Sequence, residues 1–461
     1  MARRLKNVDR ETPMLLPPDM RDWLPEDHIA RFIVEAVESL RLEGFHINER
    51  GSGSEQYPPS VMEALLIYCY STGVFSSREI EMATYTDVAV RYILGGDNHP
   101  DHDTICAFRV ENRGLFADTF VKVLMLAQEQ KHLKKVGTIA VDGSKIMANA
   151  SKQPAVSYER AGEQIEFLER EIQALVAKAD DADRGQLDEG LHIPKEIARR
   201  EERIARLRAA RQAIEARFEA HQKEKETAKQ AEADKTGKKT RKKRSSESVP
   251  ELMQHNFTDP DSRIMKAGNG QHFEQAYNAQ AAVDTQSMLI VGARISQSPN
   301  DKQELVPTVQ SVDERIYKPE NVLTDSGFYS EEGVSAVEAD GKTQVYAAVD
   351  KQHHGRTVAD LEKKAEPEEP PASAPMIDKM RYRLKTKKGR AIYKSRKETV
   401  EPTFGIIKEV MGFRRFSLRG KTKVALEWLV VCVAFNLKRL FNLLKAKGDW
   451  RSAMAPRVIE C

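Results

Sequence analysis

Hydrophobic positions along this chain change period several times, and each change marks a different kind of element. Up to residue 135 the spacing is helical. Ile29, Phe32, Ile33 and Val37 recur on one helix face. Pro58 and Pro59 open an apolar helix over 61–70, which Gly73 ends. Ser76 and Glu79 have the spacing of a capping box at the head of SREIEMAT, and DHDTICAFRVENRGLF follows a Gly95-Gly96-Asp97-Asn98 turn as a further helix. His99, His102 and Asp103 cluster there, but the expected arrangement is a loop in which Asp101 or Asp103 caps the next helix. VGTIAVD (136–142) then reads as a short buried strand ending at Asp142, before a turn of Gly143, Ser144 and Lys145.

Over 157–220 the heptad-like spacing of Ile165, Leu168, Ile172 and Leu175 is repeated by Ile197, Ile204, Leu207, Ile214 and Phe218, with a polar break holding Gly185 and Gly190. This predicts an antiparallel helical hairpin or coiled coil. Residues 221–247 keep few apolar side chains and run into KKTRKKR (238–244), so that segment is expected to be disordered. Strand alternation returns in HFEQAYNAQAAVD and MLIVGARIS, joined by Thr285-Gln286-Ser287 as an antiparallel hairpin. A helix over 303–312, a strand over 321–325, a helix over 330–339 and a strand over 343–349 follow. After a polar, Pro- and Glu-rich loop comes a basic segment, and an apolar helix over 424–444 closes the core.

The expected fold is α/β: a mixed sheet of three antiparallel strands followed by parallel ones, preceded by an all-α region and interrupted by the hairpin. The expected division is 1–135 helical and DNA-binding, 136–156 the first part of a catalytic domain, and 157–250 the hairpin insertion with its linker. The second part of that domain covers 251–350, a polar loop 351–378, the last part with its basic helix 379–446, and a tail 447–461. For the first region, a helix-turn-helix-like DNA-binding module and a helical packing or oligomerisation domain are both open readings.

Composition narrows the picture. Of 461 residues, 40% are hydrophobic and 31% charged, yet the net charge is only +3, so the distribution of charge matters more than its total. That distribution is uneven: 379–423 holds 16 Lys or Arg against Glu398, Glu401 and Glu409. Cys69, Cys106, Cys432 and Cys461 form no C-x-x-C pair, which argues against a zinc knuckle or a disulfide framework. MARRLKNVDRETP lacks the apolar core of a signal peptide, and the apolar run over 424–435 is interrupted by Glu427 and too short to span a bilayer. The expectation is a cytoplasmic protein with no membrane partner.

The candidate chemistry is a set of carboxylates far apart in sequence. Asp142 and Asp325 each close a predicted strand, and Glu401 lies in the basic, helical YKSRKETVEPTFGIIK. Taken singly, a strand-end Asp is often a turn former and a helical Glu a solvated residue. Together, in this order, they have the arrangement of a ribonuclease-H active site. Hard divalent cations take oxygen ligands, and a pair about 4 Å apart can activate the attacking oxygen and stabilise the leaving one in phosphodiester displacement.

VDGSKIMANASK, AYNAQAAVD, LTDSGFYS and YKSRKETVEPTFGIIKE occur in the expected order across 136–445, and HPDHDTICAFR precedes them. In these pieces the chain resembles bacterial insertion-sequence DDE transposases of the group with a Tyr-Arg-Glu-Lys signature. The resemblance implies a ribonuclease-H-like core, dependence on two Mg²⁺ ions with Mn²⁺ as a substitute, and cleavage and joining at element ends. It makes Asp142, Asp325 and Glu401 the catalytic and metal-binding set. Tyr393, Arg396, Lys397, Lys408 and Lys145 become candidate DNA contacts. Its partners would be double-stranded DNA (terminal inverted repeats and target) and a second copy of the chain in a synaptic homodimer. The rival readings are a non-mobile nuclease on the same fold and a catalytically inactive DNA-binding protein.

The signature is not matched throughout. Six residues separate Glu401 from Lys408 as in the family, but four rather than three separate Arg396 from Glu401, and Lys397 has the family's offset. At about 100° per residue, Tyr393, Lys397, Glu401 and Lys408 fall within a sector of roughly 80°, with Arg396 and Glu398 each about 60° outside it. Pro402 makes a kink or a helix start the expectation at that point.

Overall fold

In the computed structural model, which describes residues 19–40, 56–182, 192–236, 248–267, 272–349, 367–371 and 373–448, the helical period of the first region becomes a series of short helices. They are α1 (Met20–Trp23), α2 (Ile29–Ser39), α3 (Pro59–Thr72), α4 (Ser77–Thr86), α5 (Val88–Leu94), α6 (His102–Glu111) and α7 (Arg113–Glu129). Local chemistry sets their ends. Pro59 starts α3, where a missing N–H leaves no intrahelical bond unmade, and Gly73 ends it at φ 93°. Ser76 and Glu79 cap α4 reciprocally. Asp101 accepts from the Thr104 N–H at the head of α6, while His99 stacks on Tyr85 and His102 bonds Glu81. The histidine cluster is thus a capped loop.

The sheet is built from β1 (Val136–Met147), β4 (Arg263–Ala267), β5 (His272–Asp284), β6 (Ile290–Ser296), β7 (Lys318–Thr324) and β8 (Gln344–Ala347). A separate ribbon pairs β2 (Ala155–Ser157) with β3 (Gln254–Asn256). β5 runs antiparallel to β1 on one side, β7 runs parallel to β1 on the other, and β8 extends the parallel side. Along its outer edge β5 pairs first with β4 and then with β6, both antiparallel. A mixed sheet with antiparallel strands first and parallel strands after is therefore present.

Three elements depart from the expected pattern. β1 does not stop at Asp142; it continues through Gly143, Ser144 and Lys145 to Met147. The long β5 supplies ladder partners as far as Met147↔Ala276, so these polar residues stay extended. Gly143 suits that ladder because a Cβ there would lie 2.1 Å from Gln280 Nε2. The hairpin forms as α8 (Tyr158–Ala182) against α9 (Ile193–Thr236), with Ile165, Leu168, Ile204 and Leu207 in a small core of their own. α9 also runs through 221–236, a stretch expected to be disordered. That stretch is Lys-, Glu-, Gln- and Ala-rich and free of Gly and Pro, a composition that favours helix without an apolar face. KKTRKKR lies outside the described residues. Finally, the ribbon and β4, five residues or fewer each, were too short for alternation to announce them.

α10 (Leu305–Val309), α11 (Glu331–Val337), α12 (Met376–Lys385), α13 (Lys387–Gly405) and α14 (Lys421–Ala446) complete the fold, with a π-helical turn over Ile406–Val410. α14 packs against α2, α3, α7 and β6, so the helical region and the sheet share one continuous core. Trp428 is buried and donates from Nε1 to the Gln280 carbonyl. Glu427 explains the charge inside this apolar helix. Its carboxylate accepts from the Ser417 and Leu418 N–H groups, from the Ser417 hydroxyl and from Tyr70 Oη, and Tyr70 in turn accepts from Arg109. The buried network ties α3 and α6 to α14 and fixes the loop before it.

Glu427→Ala leaves these donors without their acceptor in a dry site. The variant should lose about 3–5 kcal/mol of stability, read as a lower denaturant midpoint. An unchanged midpoint would show that the network holds nothing together.

Candidate active site

The parallel register of β1 and β7 positions the first two acids. Their last paired residues are Ala140 and Leu323, and Asp142 and Asp325 each lie two residues further on. With a strand period of two, both carboxylates leave the sheet on the same face where the strands part. β5 presents Ala281 opposite Asp142 and Ala279 opposite Ser144, small side chains that leave room on that face. Asp142 Oδ1 accepts from the Gly143 N–H at 2.8 Å, and Asp325 Oδ1 accepts from the Gly327 N–H at 2.8 Å. Burial and the neighbouring Asp325 carboxylate push the Asp142 carboxyl up to about 7, against the pull of the Gly143 N–H and Arg396.

α13 lies over β1, β5 and β7. Its buried positions Arg396, Val400, Thr403 and, one turn on, Ile407 follow a 4-3-4 spacing that turns this face to the core. Helix runs through Pro402 to Gly405 and then widens into the π turn, so no break falls at the proline. Arg396 therefore faces the sheet. Its Nη1 stands 3.9 Å from Asp142 Oδ2 and its Nη2 3.4 Å from Glu401 Oε1, while Nε is buried without a partner. This corrects the azimuth estimate that put Arg396 outside the site's sector. That estimate followed the exposed side of the helix, where Lys397 and Glu398 lie, and neglected the reach of a buried arginine from the opposite flank.

Glu401 is more open than Asp142, with 57% of its side chain exposed against 23%. Arg396 links it to Asp142. Among the described residues no three His, Cys, Asp or Glu side chains are grouped as a metal cluster, so the expected three-carboxylate set is a pair plus one acid across a guanidinium. Tyr393 Oη donates to the Thr324 carbonyl at 3.0 Å and thereby anchors the end of β7 just before Asp325. Lys408 Nζ donates to the Lys145 carbonyl at 3.2 Å, which brings its ammonium beside β1; burial lowers its pKa.

Lys145 sits elsewhere than expected. Three residues beyond Asp142 on one strand, it points to the opposite face, and its Nζ contacts both carboxylate oxygens of Asp301 at 3.1 Å. Asn278 and Gln280 donate to the same carboxylate at 2.6 and 2.9 Å. Asp301 was missed in the sequence; a lone acid in a loop carries no periodic signal. The 4-3-4 spacing through Arg396 was the available clue to that residue's inward direction.

Residues 234–437 match the family described as Transposase DDE domain, and residues 18–111 match the one described as Transposase domain (DUF772). Each match covers less than half of the chain, and together they support a DDE transposase of insertion-sequence type. The first span includes Asp325 and Glu401 and begins after Asp142. No curated protein and no solved structure matches. No helix among the described residues is long and apolar enough to cross a membrane.

The raised Asp142 carboxyl sets a sign for pH. Its contribution to stability is fully present below its ordinary value of 3.8 and is lost as pH rises through about 7. Asp142→Asn keeps a neutral side chain throughout. In buffer without divalent ions the variant should therefore be more stable than the parent at pH 8 and indistinguishable from it below pH 4. Chemical denaturation at the two pH values checks this, and equal parent and variant midpoints at pH 8 would contradict it.

Proposed function

We propose that this chain is an insertion-sequence transposase of the group with the Tyr-Arg-Glu-Lys signature, on a ribonuclease-H-like core. It binds element ends, hydrolyses a phosphodiester to free a 3′-OH, and joins that end to target DNA. The observation that carries this reading is the like-charged pair Asp142 and Asp325, set side by side by strand register under the basic helix α13. Neighbouring carboxylates that repel each other suit hard divalent cations, and Asp142, Asp325 and Glu401 would hold two Mg²⁺, or Mn²⁺ in their place. When bound, such ions activate an attacking oxygen and stabilise the leaving one.

The chain's own residues do the rest. Asp142 would hold a cation as its carboxylate, and its carboxyl, raised to about 7 in the protein alone, would have to be deprotonated for that. Arg396, shared between Asp142 and Glu401, would be available to a phosphate with those acids neutralised by another cation. Lys397 and Lys408 add phosphate contacts from the same helix and the turn after it. Tyr393 holds Asp325 in place through the Thr324 carbonyl. Two element ends require two active sites, so the working form is a homodimer. An inactive DNA-binding protein is the rival favoured by Arg396 standing between two of the acids.

Purified protein with labelled element-end duplex and Mg²⁺ separates these readings. The parent should both cut and join. Asp142→Ala and Asp325→Ala should each lower cleavage by more than about 100-fold, because loss of even an outer-shell partner costs 10–100-fold, while DNA binding persists. Cleavage that survives both substitutions would remove these acids from the site.

A further inference from the structure

Outside the acidic site, several cations lie on a loop and on the hairpin-base elements next to it. The loop between the π turn and α14 carries Arg414, Arg415 and Arg419, and α14 opens with Lys421, all exposed. It is held rigidly along the far end of β1. The Met147 N–H donates to the Arg414 carbonyl, the Phe416 N–H donates back to the Met147 carbonyl, and Arg419 Nε donates to the Asn149 carbonyl. The same loop continues onto the base of the helical hairpin, where the Gly420 and Lys421 N–H groups donate to Asp259 and Asp261.

Beyond them lie Arg263 on β4 and Arg206, Arg211 and Arg217 on α9. Arg217 Nη2 donates to the Gln254 carbonyl of the ribbon, Arg211 lies 4.3 Å over the Tyr158 ring, and Arg206 lies 5.4 Å over the Phe257 ring. Arg211 Nε and Arg217 Nε are buried without partners. Among the described residues Arg206, Arg211, Arg217, Arg263, Arg415, Arg419 and Lys421 make no ion pair. The nearby acids are engaged: Asp259 accepts from Tyr277 Oη, Glu215 from Tyr158 Oη, and Glu409 pairs with Arg414.

The N-terminal helices have the opposite charge. Over 56–111, which spans α3 to α6, there are three Lys or Arg (Arg78, Arg91 and Arg109) against eight Asp or Glu; with Arg109 and Glu63 buried, two cations face seven acids. Binding to duplex DNA rests on cations set against phosphates. A surface this acidic repels the backbone that the loop and hairpin base would attract.

We propose that the 412–423 segment and the base of the α8–α9 hairpin form one phosphate-binding track for double-stranded DNA, leading away from the acidic site, and that α3 to α6 lie off it. This rests on the transposase reading above. At about 3.3 Å per residue, Met147 is about 17 Å along β1 from Asp142, about five base pairs of duplex at 3.4 Å each. The track therefore begins half a helical turn from the scissile position and gives the hairpin insertion a role in holding DNA.

The test is fluorescence anisotropy of labelled duplex with the full chain, over about 50–200 mM salt. Arg415→Ala/Arg419→Ala/Lys421→Ala and, separately, Arg206→Ala should flatten the salt dependence by about one power of salt for each phosphate-facing cation removed. Arg415→Lys/Arg419→Lys should keep the parent's slope, which guards against mere misfolding. Arg78→Ala/Arg91→Ala should stay within about twofold of the parent's affinity, since neither side chain lies on the track. If the parent binds duplex and the track variants keep its slope, or if the Arg78/Arg91 variant is the one that loses affinity, the track is wrong while the transposase reading stands. If the parent binds no duplex at all, both fall.

Discussion

The site depends on the register of two parallel strands. Because Ala140 pairs with Leu323, Asp142 and Asp325 emerge next to each other on one face. A slip of one residue would move one of the two to the other side of the sheet. Placing two carboxylates together in a partly buried cleft is unfavourable, and the surrounding structure offsets that cost. Gly143 and Gly327 donate backbone N–H groups, Arg396 offers a buried guanidinium, and Asp142 itself tends to keep a proton. Arg396 thus stands between Asp142 and Glu401 and offsets charge on both acids.

Much of the frame was legible because periodicity reports burial directly. The strands carrying the two aspartates, the antiparallel hairpin after them, the helical hairpin and the long apolar helix all have patterns that admit one reading. A cap from Asp101 or Asp103 followed from a local rule, and Asp101 supplies it. What escaped was decided by partners distant in sequence. β1 passes through Gly143-Ser144-Lys145 because β5 is long enough to pair with it, and no local rule for turns contains that information.

The acids themselves were visible only as candidates, since an aspartate at a strand end looks the same whether it caps a turn or faces another carboxylate. Arg396 shows the limit of azimuth arithmetic. Counting degrees around a helix says where a side chain leaves the backbone, but not where a long one ends or which flank the sheet covers. The 221–236 stretch shows the opposite error: without an apolar face a segment was taken as unstructured, although Ala, Glu, Lys and Gln favour helix on their own.

The Tyr70–Glu427 bond also constrains how the chain is made. The two residues are 357 positions apart, yet α3 is buried on nearly every side only once α14 has arrived. At ribosomal speeds of about 5–20 residues per second, that interval lasts roughly 20–70 s. Throughout it Leu65, Leu66, Ile67 and Tyr70 lack the helix that covers them. Synthesis therefore exposes an apolar helix long before its cover exists.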